Sequence, residues 1–167
     1  MSNDFNHEEW LSFPTGKIGK GEYCSKCARF NSRDIAINAI LIRLRNNKKE
    51  ILLVLRAQDP DKGWWDIPGG YLDWDETLEE ATSRELKEET GLVASPESFK
   101  FFNIFSNPNN KPKNQVVDIY YVSKKFSGNI KIQESEVLEA KWFDLNNLPD
   151  NVAFDHMLTI EKLRSIN

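Results

Sequence analysis

Residues Gly70–Leu92 read GYLDWDETLEEATSRELKEETGL. Thr77 with Glu80 three residues on is a capping box, in which hydroxyl and carboxylate each satisfy a backbone N–H that the first helical turn leaves orphaned. Leu78 to Thr90 contains neither Gly nor Pro and is rich in strong helix formers. Gly91 stands where a helix closes in the left-handed conformation. The spacing predicts a helix over 78–90. On a wheel of about 100° per residue, Leu78, Ala81, Thr82 and Leu86 share one side, while Glu79, Glu80, Ser83, Arg84 and Lys87 share the other. Glu85, Glu88 and Glu89 fall on the apolar side, within an arc of roughly 100°.

Carboxylates at i, i+3 and i+4 lie about 5–6 Å apart at Cβ. At an effective dielectric near 20 each such pair repels by roughly 3 kcal/mol. Three carboxylates on one rigid element form a hard-oxygen site suited to Mg²⁺ or Mn²⁺, ions that keep waters and take substrate phosphates as further ligands. Taken alone, Glu-x-x-Glu-Glu also reads as a solvated acidic face.

The longer segment decides between the two. It resembles the Nudix box: Gly, five residues, Glu, seven residues, Arg-Glu, an aliphatic, any residue, Glu-Glu, any residue, Gly and an aliphatic. Gly70, Glu76, Arg84, Glu85, Leu86, Glu88, Glu89, Gly91 and Leu92 meet every fixed position without a gap. Lys62 to Gly70 (KGWWDIPGG) is similar to the strand and turn that lead into the box in this family. The resemblance runs from about Ile35 onward and implies an α+β fold, the Nudix fold, with a mixed β-sheet sandwiched between α-helices. It implies Glu85, Glu88 and Glu89 as metal ligands, the Gly69 or Gly70 carbonyl as an extra one, and a Glu76–Arg84 ion pair bracing the loop on the helix. Bound cations would neutralise a diphosphate and activate a coordinated water for attack on phosphorus. Catalytic candidates are Glu88 in the box and, in a later loop where family members often carry a general base, Glu134 and then Glu136. Either of that pair also reads as an exposed loop residue.

Outward from the box, Ile35–Leu44 and Ile51–Leu55 are apolar and β-branched around Asn46-Asn47-Lys48-Lys49, which predicts a β-hairpin. Trp64–Ile67 reads as a short strand stopped by a turn at Pro68-Gly69-Gly70. Phe99–Phe105, Val116–Val122 and Ala140–Asp144 read as further strands, and Asp155 as the cap of a last helix reaching Ile166. Two regions are expected: residues 1–33, an arm without clear periodicity that carries Cys24 and Cys27, and residues 34–167, the hydrolase domain. Cys24-Ser25-Lys26-Cys27 resembles half of a zinc ribbon. A structural zinc wants four ligands, and His7 and His156 are the soft candidates left. Zinc within one chain is disfavoured; a site shared across a homodimer stays open.

The chain of 167 residues suits one domain, with 40% hydrophobic and 29% charged residues. Its net charge of −4, from 22 basic and 26 acidic residues, gives no general attraction to nucleic acid or anionic lipid. The start, MSNDFNHEEW, carries acids where a secretory signal would carry Lys or Arg before an apolar stretch, so a cytoplasmic protein with no membrane partner is expected.

The substrate is read from shorter signals. Pro108, 16 residues past Leu92, has a spacing associated in the family with ADP-ribose pyrophosphatases, and Ala153-Phe154-Asp155-His156 is similar to an element of ADP-ribose-type members. Arg56 is a candidate for forking onto phosphate and Trp64, or Trp65, for stacking on a base. The expected reaction is cleavage of ADP-ribose, a small-molecule nucleotide, to AMP and ribose 5-phosphate. Two alternatives stand beside it: cleanup of a non-standard nucleoside triphosphate with release of pyrophosphate, and a non-catalytic ADP-ribose sensor.

Overall fold

Alternation of side chains along one long strand builds both layers of the molecule. In the computed structural model, which describes residues 23–24, 29–30, 34–107 and 116–166, β3 (Asp34–Arg45) turns Ile37, Ala39 and Leu41 to one face and Ile40 and Ile42 to the other. Period-two alternation on a two-sided sheet requires this, and helices cover both faces. The first core gathers Leu52, Ala81, Leu86 and Ile119 under helix α1 (Leu78–Thr90); the second gathers Ile51, Leu53, Trp65, Tyr120 and Ile160 under α2 (His156–Ser165).

β3 pairs antiparallel with β4 (Lys48–Arg56) through a turn in which Asn46 and Asn47 take φ of 50° and 59°. Asn tolerates this left-handed region better than most residues, and two such residues in series match the twist of a hairpin. The other strands are β5 (Trp65–Asp66), β6 (Gly69–Tyr71), β7 (Lys100–Phe105), β8 (Val116–Ser123) and β9 (Val137–Asp144). The order β5-β4-β3-β8-β7 forms the mixed sheet, with β3 and β8 parallel, β6 paired to β3 and β9 paired to β4. A separate two-stranded pair, β1 (Tyr23–Cys24) with β2 (Arg29–Phe30), precedes it.

Helix α1 carries both halves of its capping box, with Thr77 accepting from the Glu80 amide and Glu80 from the Thr77 amide, and it ends at Gly91 with φ 72°. Two local expectations change. Pro68-Gly69-Gly70 is not simply a turn, because Gly69 and Gly70 pair with Asn38 and Ile37 as strand β6. A Cβ on Gly69 would collide with the Ile37 carbonyl, so glycine here permits close backbone approach. Asp155 precedes α2 but makes no capping hydrogen bond from its side chain. Cys27, His7 and Pro108 lie outside the described residues, as do all of Cys24 beyond its backbone and hence the expected zinc half-site. Among the described residues no helix is long and apolar enough to cross a membrane.

Candidate active site

Where β6 leaves the sheet beside α1, a cleft of about 580 Å³ opens, and it is lined from both sides of the molecule. Glu85 and Glu89 reach it from α1, Gly69 and Gly70 from β6, Arg56 from the end of β4, Asp66 from β5, and Phe154 and His156 from the approach to α2. Asn38 and Asp118, on the neighbouring strands β3 and β8, form its floor.

At the α1 end the backbone is built around carboxylates. The Gly69 amide donates to Glu89 Oε2 at 3.0 Å. The Cα of Gly70 lies so close to the Glu85 carboxylate that any side chain there would strike it. Burial drives the Glu89 carboxyl well above the usual carboxylate range, and the charges of Asp66, Glu85 and Glu136 push the same way against the opposing pull of the Gly69 amide. Glu85 is raised too, first by burial, with Arg84 pulling it back and Glu88 and Glu136 adding to the rise. A carboxylate held in this state gains stability from a cation, and the donor set is all oxygen, so the site fits a hard divalent ion.

Arg84 organises this end. Its Nε and Nη2 fork onto Glu76 at 2.9 and 2.6 Å, Nη1 donates to Glu85 Oε1 at 2.7 Å, and Nη2 also donates to the Tyr71 carbonyl at 3.1 Å. Glu76 in turn accepts from the Asp73 amide, and with Arg84 beside it its carboxyl lies below the usual range. The box loop is thus pinned to the helix by a bidentate ion pair.

The candidates divide by position. Glu136 lines the cleft, anchored by its carbonyl accepting from the Ala57 amide at 2.8 Å, whereas Glu134 is exposed and does not line it. Glu88 is turned to the rim, half-exposed, with Arg84 Nη1 at 3.3 Å, so among the described residues no set of three ligands is already gathered round one point. On the wheel Glu88 sits at the edge of the apolar arc, and its side chain follows solvent where Glu89 follows the core. Trp64 is exposed outside the cleft, and Trp65 is core, edge-on to Phe143.

The opposite end joins Arg56 and His156, both singled out in the sequence, to Asp66 and Tyr120, which were not. Arg56 Nη1 donates to Asp66 Oδ2 at 2.6 Å, and His156 Nε2 lies 2.6 Å from Asp66 Oδ1. Tyr120 Oη is 2.9 Å from His156 Nδ1. Oδ1 of Asp66 is buried, so Nε2 must carry a proton for it to be satisfied. Burial by itself would raise the Asp66 carboxyl; His156 and Arg56 outweigh it and hold the carboxyl low. The available signal was a lone acid inside the apolar run Trp65-Asp66-Ile67, a placement that demands partners.

Residues 35–163 match the family model described as the NUDIX domain. The chain belongs to the Nudix family and is a pyrophosphohydrolase of that family. It is 39% identical over 122 residues to an ADP-ribose pyrophosphatase of Methanocaldococcus jannaschii, covering 73% of this chain and 68% of that one. It is 34% identical over 113 residues to the NAD-capped RNA hydrolase NudC of Vibrio atlanticus, covering 66% of this chain but 38% of that relative's length. The NUDIX domain of Shewanella oneidensis NrtR, solved in complex with ADP ribose, superposes with a TM-score of 0.72 at 27% identity, covering 96% of this chain and 97% of that one.

Proposed function

We propose that this chain hydrolyses the diphosphate bond of ADP-ribose, or of a similar nucleoside diphosphate derivative, to AMP and ribose 5-phosphate with Mg²⁺ or Mn²⁺ as cofactor. The observation that carries the reading is the pair of carboxylates, buried Glu89 and partly buried Glu85, held against the glycine backbone of β6 at one end of a cleft whose other end presents Arg56 and Phe154. The likeness to an ADP-ribose pyrophosphatase supports the choice of substrate.

Glu85 and Glu89, with Glu88 from the rim and the Gly69 carbonyl, would hold the divalent ion. Bound there, it supplies charge neutralisation and a more acidic water. Glu136 lines the cleft and its charge acts on both Glu85 and Glu89, which supports it over Glu134 as the group that would take the proton of the attacking water. The water oxygen bonds to one phosphorus as the bridging oxygen leaves on the other, so each product keeps one phosphate. Arg84 and Glu76 hold the loop on the helix.

The test is incubation of the chain with ADP-ribose and either cation, with products resolved by chromatography. AMP with ribose 5-phosphate supports the proposal. Pyrophosphate released from a nucleoside triphosphate, with ADP-ribose untouched, would replace it by the cleanup reading, and tight binding without turnover by the sensor reading.

A further inference from the structure

We infer that Arg56 and Phe154 form a prebuilt stacking platform for the planar base of the substrate, which makes Phe154 a specificity-determining binding residue. This deepens the proposed function and rests on it.

Phe154 takes φ 51°, a left-handed conformation in which a bulky side chain is an outlier and which persists only when its surroundings impose it. Here they do. The Ala153 amide donates to the Trp65 carbonyl at 2.7 Å and the Trp65 amide to the Asn151 carbonyl at 2.8 Å, which ties the chain to β5 immediately before Phe154. Two residues later His156 is held by Asp66 and Tyr120. Phe154 belongs to neither hydrophobic core; its ring lines the cleft and meets the buried His156 edge-on, with centroids 5.6 Å apart.

Over the ring lies the Arg56 guanidinium, its Cζ 4.9 Å from the centroid. Its plane is fixed from two sides, by Nη1 on Asp66 at 2.6 Å and Nε on the Pro60 carbonyl at 2.9 Å. Nε and one hydrogen of Nη1 are thereby committed and Nη2 is not, so the guanidinium keeps donors for a phosphate as well as a face for a base. The side chain remains 24% exposed in the cleft. A guanidinium held in plane at two points offers the face turned away from Phe154, and flat heteroaromatic rings stack on such a face, here backed by the phenyl ring. The contacts that run from Arg56 through the buried Asp66 and His156 to Tyr120 hold that face before any ligand arrives. With metal-binding carboxylates at one end and a planar platform at the other, the cleft orients a nucleotide with its base away from α1.

The experiment measures binding of AMP and of ribose 5-phosphate to the full chain by calorimetry. Loss of a stacking ring costs roughly tenfold in affinity for a base. Phe154→Leu, which keeps apolar bulk, is expected to weaken AMP by roughly that factor and leave ribose 5-phosphate unchanged, while Phe154→Tyr stays near wild type. Arg56→Lys, which keeps the charge and loses the plane, is expected to penalise AMP more than ribose 5-phosphate. Unchanged AMP binding in Phe154→Leu, or parallel weakening of both ligands in both variants, would overturn the inference. Cleavage of ADP-ribose by the wild type together with no AMP-selective loss in the variants sinks the platform alone. A chain that cleaves no diphosphate sinks the functional reading instead.

Discussion

Glu89 is a residue whose environment opposes its charge. Its carboxyl is raised by burial and by the neighbouring acids, so in protein stripped of divalent ions the folded state binds its proton more tightly than the unfolded chain does. Stability is then lost as pH climbs from the ordinary value of 4.5 through the raised folded value. Glu89→Gln removes the penalty while keeping the acceptor for the Gly69 amide. In chelator, thermal melts of Glu89→Gln are expected above wild type near neutral pH and equal to it in acid below that ordinary value. Adding Mn²⁺ raises the wild-type melting temperature and not that of the variant. Turnover falls by roughly a hundredfold or more. A variant that turns over normally would remove Glu89 from the metal site. Its exposed counterpart Glu88, on the same helix, answers to solvent and Arg84 rather than to the cleft.

At the scale of elements, β6 and α1 form one unit because two glycines let strand and helix carboxylates touch. The two positions have different neighbours, and substitution separates them. Gly69→Ala drives a Cβ into the Ile37 carbonyl, which is backbone and cannot move without breaking the pairing of β6 with β3. A loss of about 2 kcal/mol or more in chemical denaturation is expected, within the cost of overpacking. Gly70→Ala meets the Glu85 carboxylate, the end of a side chain that can swing away. Its stability is expected to change little while metal-dependent activity drops steeply. Equal effects of the two substitutions on stability would contradict this account of the unit. α1 itself was legible from residues alone, because capping box, helix formers and terminal Gly91 are all local features. β6 was not, since nothing in Pro68-Gly69-Gly70 says that a strand 30 residues earlier will accept it.

Across the whole molecule, Asp66 links the sheet, α2 and the cleft by bonding Arg56 and His156 at once. Its folded carboxyl is held below the ordinary 3.8, so its contribution is complete above that value and fades as pH falls through the folded one. Asp66→Asn keeps the shape, removes the charge and turns an amide donor toward groups that already donate. It is expected to cost about 3 kcal/mol at neutral pH, the lower end for breaking a buried ion pair. The deficit narrows in acid. Urea titrations across that range measure it, and a deficit independent of pH would show that the charge is not what holds the three elements together.

The helix and the hairpin follow from periodicity, caps and turn residues, which act over a few residues and so are written in the chain itself, while the sheet between helices was implied by the resemblance that the box carries. The pairing of Asp66 with Arg56 and His156, the lining of the cleft by Glu136 and not Glu134, and the strained placement of Phe154 depend on contacts between segments 10 to 90 residues apart. No local pattern encodes those distances. Burial and charge become defined only when the elements have packed, and they are what turn a run of glutamates into a site.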